Sequence, residues 1–317
     1  MTTNAVTNAA ATNATPTNTA ATNRASANTA PADTAASNGT PTDTVHASAG
    51  LQLDDVTIKL GGVPIVEALQ LDVRAGEILA VVGPSGCGKS TLLRALAGLV
   101  PVTAGAIRLD GREIHGPAAE RALVFQDDAL LPWRSVRRNV ELPLLLGGIS
   151  KADRKELVQA LIEQVGLAGF EQHLPRQLSG GMRQRVQLAR TLVGSPRVLL
   201  MDEPFGALDA QTRSAMQRLL LDVWQQHPTT VVFVTHDVDE ALLIADRIAV
   251  LTSRPGRLAT VFEVERPRIP GGRFEPAFTR SRYEILAALG DHAGAANAGP
   301  DGSRPSALFG HHTEGSP

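Results

Sequence analysis

Nine consecutive residues, Gly83-Pro84-Ser85-Gly86-Cys87-Gly88-Lys89-Ser90-Thr91, have the types and order that hold phosphate. The glycines let the backbone curl so that successive N–H groups point inward at anion oxygens. A helix starting where the loop ends adds unsatisfied N–H groups and the positive end of its dipole. Lys89 supplies a point charge for the terminal phosphates, and Ser90 a hydroxyl for Mg2+. The plain alternative is a glycine-rich turn. The flanks weigh against it: Glu77 to Val82 reads as a buried parallel strand and Leu92 to Ala97 as a helix, the context that such a loop requires.

A second constellation sits at Asp202-Glu203, after the apolar run Val198 to Met201. Ligands of open parallel sheets lie at the carboxyl ends of the strands. Two adjacent acids there divide two tasks, one on Mg2+ and one orienting and deprotonating a water. An isolated Asp-Glu pair would read as a solvated strand end; the phosphate loop in the same chain reverses that reading. Leu178-Ser179-Gly180-Gly181 opens a helix and offers another set of backbone donors to an anion. Gln126 ends a short apolar run and His236 follows another.

The elements that must position these residues alternate. Leu51 to Ile58 and Leu69 to Val73 read as strands with a Gly61-Gly62 turn between them, and Ala106 to Leu109 as a strand before Asp110-Gly111. Ala122 to Phe125 reads as a short buried strand. Lys151 to Val165 reads as a helix with Leu157, Leu161, Ile162 and Val165 on its apolar face, stopped by Gly166. Met182 to Leu192, Ala210 to Gln226 and Val238 to Ala245 read as helices, and the apolar runs at 197–202, 231–234 and 248–251 as strands. The pattern predicts an α/β fold: a mostly parallel sheet covered on both faces, with an antiparallel β part and a helical part.

Composition narrows the classes. The chain has 317 residues, 43% of them hydrophobic, enough for a sizeable core. Its 30 basic and 32 acidic residues balance to −2, which argues against nucleic acid as a partner. One cysteine leaves no intramolecular disulfide. No apolar run reaches the roughly 18 residues of a membrane span, and the amino terminus lacks the basic-then-apolar pattern of a secretory signal. Of residues 1–50, 35 are Ala, Thr or Asn, so this segment is expected to be disordered, as is 291–317. The ordered core is expected over 51–265, with a helical subdomain at about 127–194 and a helical extension at 266–290.

With the loop at 83–91, Gln126, Leu178 to Met182, Asp202-Glu203 and His236 in that order, the chain resembles the ATP-binding subunit of ABC transporters, a P-loop NTPase fold, over roughly 51–265. The resemblance implies ATP and Mg2+ as cofactors. It implies that Gly83, Pro84, Ser85, Gly86, Cys87, Gly88, Lys89, Ser90 and Thr91 bind nucleotide, and that Ser90, Gln126 and Asp202 serve the metal. Glu203 is then the catalytic base, and His236 and Gln126 attend the γ-phosphate. Ser179, Gly180, Gly181 and Asp209 reach the nucleotide of a second copy in a head-to-tail dimer. Two positions depart from the family: Met182 where Gln is usual, and Leu60 where an aromatic residue usually stacks on adenine.

Gly116 to Arg121, Leu130 to Val136 and Arg254-Pro255-Gly256-Arg257 look like the importer branch for nitrate, sulfonates and taurine, the first most like taurine importers. Arg280 to Leu289 resembles that branch's short terminal helix. The implied partners are a second ATPase subunit, two membrane-spanning permease subunits and a periplasmic solute-binding protein, at the cytoplasmic face of the inner membrane. Trp133 reads as core packing or as part of the groove that receives the permease. Cys87 reads as a small buried residue or as a thiol activated by the helix start. A non-transport ABC ATPase would bring long coiled coils or a second cassette, and a small-molecule kinase would lack the Leu178 to Gly181 loop; neither pattern fits.

Overall fold

The computed structural model describes residues 50–126, 129–226, 228–264 and 276–296, with side chains through 290. The disorder expected for 1–49 and 297–317 lies outside those residues, as does the segment 265–275.

Strand β1 (Leu51–Leu60) buries Leu51, Leu53, Val56 and Ile58. It is one strand, with a register shift between Leu53 and Val56 where Asp55 takes a φ of 50°. Gly61 and Gly62, both at positive φ, reverse the chain into β2 (Val63–Val73). Next come β3 (Ile78–Val82), helix α1 (Lys89–Leu96), β4 (Ala104–Leu109), the two-residue β5 (Arg112–Glu113) and β6 (Arg121–Val124). Helices α2 (Val136–Val140), α3 (Leu142–Leu146), α4 (Lys151–Gln164) and α5 (Gly180–Leu192) follow. The chain then alternates β7 (Val198–Asp202), α6 (Ala210–Gln226), β8 (Thr230–Val234), α7 (Val238–Ile244), β9 (Arg247–Leu251), β10 (Leu258–Glu263) and α8 (Pro276–Ala296).

Two sheets result. One is antiparallel in the order β2-β1-β4-β5; the other runs β10-β9-β3-β8-β7-β6, parallel from β9 to β6 with β10 antiparallel at its edge. The period of two along a strand splits the parallel sheet between two cores. Leu79, Val81, Leu200, Val232, Val234, Ala249 and Leu251 face α1 and the antiparallel sheet. Ile78, Ala80, Val82, Leu199, Met201, Phe233 and Ile248 face α6, α7 and Ile285 of α8. The helical part has its own core around Val140, Val158, Ile162 and Val186.

Three expectations are corrected here. Leu157 does not join the apolar face of α4: it is half exposed, and Val158, Ile162 and, just past the helix, Val165 are buried. Each helical residue turns about 100°, so 158, 162 and 165 share a stripe that 157 flanks. Phe125 lies beyond the end of β6 and is exposed. Helix α8 continues to Ala296, into the segment expected to be a tail. Among the described residues no helix is long and apolar enough to cross a membrane.

The burial pattern of α4 sets a stability contrast. Ile162→Ala, which empties a fully buried site, is expected to destabilise by about 2–5 kcal/mol. Leu157→Ala should stay within about 0.5 kcal/mol of the parent in denaturant unfolding. Equal losses for the two would place both side chains in the core and contradict the stripe.

Candidate functional site

Strand β3 delivers the chain to Gly83 at the carboxyl edge of the parallel sheet. The loop closes on itself through Cys87 N–H donating to Pro84 O at 3.3 Å. Gly88, at a φ of 106°, is the N-cap of α1, and the first helical bond is Leu92 N–H to Gly88 O. The N–H groups at Lys89, Ser90 and Thr91 therefore have no partner within the helix. Lys89 is 7% exposed, and its Nζ donates to Gly83 O at 2.8 Å and Pro84 O at 3.1 Å. Ser85 and Gly86 form the exposed crown. Ser90 Oγ donates to Asp202 Oδ1 at 2.9 Å, so the loop hydroxyl and the first strand-end acid meet.

Glu203 is the point where three segments converge. Its Oε2 lies 3.3 Å from His236 Nδ1 and 3.5 Å from Gln126 Nε2. Its φ is 45°, a left-handed conformation that costs a non-glycine residue on the order of 1 kcal/mol or more. Glu203 N–H donates to Val234 O, and Glu203 O accepts from Gly206 N–H. The strained residue is thus pinned at both backbone ends beside β8.

Ser179 is the N-cap of α5 and accepts from Met182 N–H at 3.2 Å, so the helix begins two residues before the expected Met182. A Cβ on Gly181 would collide with the Thr212 methyl. Thr212 in turn donates its N–H to Asp209 Oδ1 at 3.0 Å, and Gln211 does so at 3.1 Å. These backbone donors hold the Asp209 carboxyl below its ordinary range, the Thr212 N–H foremost. Ser179, Gly180, Gly181 and Asp209 therefore form one corner between α5 and α6, with Ser179, Gly180 and Asp209 exposed.

Sequence reasoning missed the residues that hold these loops. From α5, Gln187 Nε2 donates to Phe125 O at 3.0 Å and Arg190 Nη1 to Ala129 O at 2.9 Å, bracketing Gln126. Asn139, fully buried, donates to Leu131 O and Arg134 O and accepts from Leu131 N–H, fixing the loop that carries Trp133. In Val136-Arg137-Arg138-Asn139-Val140 nothing in the sequence sets Asn139 apart from its polar neighbours. Trp133 is 72% exposed, so the core-packing reading fails: the loop is pinned from below by Asn139 and its indole stands outside.

Cys87 is fully buried, and burial pushes its thiol up; the Lys89 charge and nearby backbone donors pull it down by less. The activated-thiol reading is corrected accordingly. Glu240 of α7 is also buried, accepting from Gln217 Nε2 of α6 at 3.2 Å, and burial raises its carboxyl above the usual range. Among the described residues no three His, Cys, Asp or Glu side chains are grouped to hold a metal. The hydroxyl–carboxylate pair Ser90 and Asp202 instead suits Mg2+, which keeps water and substrate phosphate oxygens in its shell.

This edge-on arrangement of glycine loop, strand-end acids and a helix start defines a P-loop NTPase. The profile of the ABC transporter family matches residues 66–206. The chain is 50% identical over 229 residues to an uncharacterised ABC transporter ATP-binding protein of Methanocaldococcus jannaschii, covering 72% of this chain and 85% of the relative. It is also 50% identical over 208 residues to the taurine import ATP-binding protein TauB of Escherichia coli, covering 66% and 82%. A dimeric post-hydrolysis ATP-binding cassette bound to ADP and Pi superposes with a TM-score of 0.60 at 30% identity, covering 68% of this chain and all of that one. The chain belongs to the ABC transporter family and is an ATP-binding subunit of it. Membership implies ATP hydrolysis coupled to transport.

Two outcomes follow from the buried groups. A carboxyl raised in the folded state contributes stability at low pH that is lost as pH rises through its folded value. Glu240→Gln is therefore expected to flatten the fall of Tm with rising pH above the ordinary carboxylate range, read by scanning fluorimetry from pH 5 to 8; a parallel fall in both proteins would assign it elsewhere. Maleimide should leave Cys87 unlabelled in the native protein, with or without nucleotide, and label it in denaturant. Rapid native labelling would contradict its burial.

Proposed function

We propose that this chain hydrolyses ATP to drive import of taurine. The observation that carries the catalytic reading is the convergence of His236 and Gln126 on one oxygen of a backbone-strained Glu203. In this reading Gly83 to Thr91 surround the phosphates with N–H groups, Lys89 turning from the loop carbonyls to the terminal phosphates. Ser90, Asp202 and Gln126 hold Mg2+, which when bound offsets charge on the phosphate oxygens. Glu203 takes the proton of the attacking water, and His236 orients Glu203 and the γ-phosphate. The Ser179–Gly181 corner and Asp209 close on the nucleotide of a second copy, supplying fixed donors to the transferring group.

The permease partners fit the exposed face of the helical part. Trp133, Leu145, Leu146 and Ile149 are all exposed there, on elements tied by α5 to the Gln126 loop. Two membrane-spanning subunits and a periplasmic binding protein complete the importer, with this chain peripheral at the cytoplasmic face of the inner membrane. Taurine is favoured by the similarity to TauB and by the Gly116 to Arg121 segment; other alkanesulfonates and nitrate come next.

Glu203→Gln is expected to lower hydrolysis by about 10²–10⁴-fold while ATP still binds; hydrolysis at the parent rate would remove Glu203 from the role. A strain lacking the gene should fail to grow on taurine as sole sulfur source, and the parent gene, but not Lys89→Ala, should restore it. Loss on a longer alkanesulfonate instead would change the solute and keep the mechanism.

A further inference from the structure

Two segments remote in sequence pack against the phosphate loop. One is β2; the other is the turn 252–257 between β9 and β10. Gly256 joins them: its N–H donates to Ile65 O at 2.8 Å and its carbonyl accepts from Glu67 N–H at 3.0 Å, a parallel bridge at Val66. The turn is closed by Thr252 N–H to Arg257 O at 2.9 Å and Arg257 N–H to Thr252 Oγ1 at 3.0 Å. Arg257 also pairs with Glu67 at 2.8 Å.

The contact with the loop is made at backbone distance. A Cβ on Gly256 would overlap the Cys87 carbonyl oxygen. Gly256 is not in the left-handed region, so space and not φ demands glycine there. On the loop side, a Cβ on Gly88 would come within 2.9 Å of Val66 Cγ2 and 3.0 Å of Ile65 O, and one on Gly83 within 3.1 Å of Leu251 O. The loop is thus held between β2 and the end of β9 by contacts that leave no room for a side chain at Gly256 and Gly88 and little at Gly83. The Cys87 carbonyl and the Gly88 N–H belong to one planar peptide. Displacing that oxygen moves the neighbouring N–H with it.

We infer that Gly256 is a positioning residue for ATP binding: by lying against the Cys87 carbonyl it fixes the peptide plane that aims the Gly88 N–H, without itself meeting nucleotide. The inference rests on the reading of residues 83–91 as the ATP phosphate loop. An alanine at 256 meets backbone, which cannot swing aside as a side-chain tip can, so the loop has to move.

The test is steady-state ATP hydrolysis and equilibrium ATP binding by the full-length protein, with Tm measured without nucleotide. Gly256→Ala should raise Kd and KM for ATP by about tenfold or more and leave kcat at saturation within about twofold. Its nucleotide-free Tm should stay within about 3 °C of the parent. Thr252→Val, which loosens the turn and keeps its shape, should raise KM by about threefold in the same direction; it decides the matter if Gly256→Ala does not fold. An unchanged KM in the folded Gly256→Ala protein, or in Thr252→Val when the former is insoluble, overturns the inference. So does a fall in kcat or Tm with KM unchanged. Failure of the parent protein itself to bind ATP would overturn the ATPase reading instead.

Discussion

Parallel strands all end at one edge, and the chemistry of this chain depends on that constraint. In the register of β3, β8 and β7, Val81 lies beside Val234, and Val234 beside Asp202. Adjacent strands are about 4.8 Å apart. The next residues along each strand, Gly83, Thr235-His236 and Glu203, therefore leave the sheet side by side. No loop has to reach far: Ser90 meets Asp202 and His236 meets Glu203 because β3, β8 and β7 are consecutive columns. The alternating side-chain direction along those fully buried strands also makes the edge stiff, since each side chain below it is locked in one of two cores.

Around that edge the parts divide by stiffness. Glu203 is held by backbone bonds in a conformation it would not choose, and its carboxylate is left at the meeting point of two loops. The Gln126 loop is governed from outside the sheet, by Gln187 and Arg190 of α5, the helix that Ser179 opens. A shift of α5 would therefore reach Gln126 at one end and the Ser179–Gly181 corner at the other. Buried Glu240 links α7, which follows His236, to α6, which follows Asp209, through Gln217. These polar contacts add to the apolar packing that α5, α6 and α7 share through Leu188, Leu220 and Ala241. Such contacts are directional and can be exchanged without opening a core.

Much of this was legible in the sequence. The glycine loop, the apolar runs ending in Asp202-Glu203 and before His236, and the serine at a helix start are local patterns, and local patterns fix local conformation. Their order along the chain carried the resemblance to the ABC family, and the α/β alternation carried the sheet. Less legible were facts about exposure. Leu157 and Trp133 are large and apolar yet stand in solvent, because the angle of a helix face and the pinning of a loop by Asn139 decide exposure, not residue type. Cys87 sits at a helix start, which alone would lower its thiol, but desolvation between β2, β9 and the loop outweighs it.

The sequence by itself determined the fold class, the glycine loop between a strand and a helix, and the acids and histidine that follow apolar runs, because each depends on residues adjacent or regularly spaced in the chain. Only the tertiary structure decided which of them touch, that α5 brackets the Gln126 loop, and that Gly256 lies against Cys87. Those relations join segments far apart in sequence, and hydrogen-bond partners and free space exist only once the sheets are assembled.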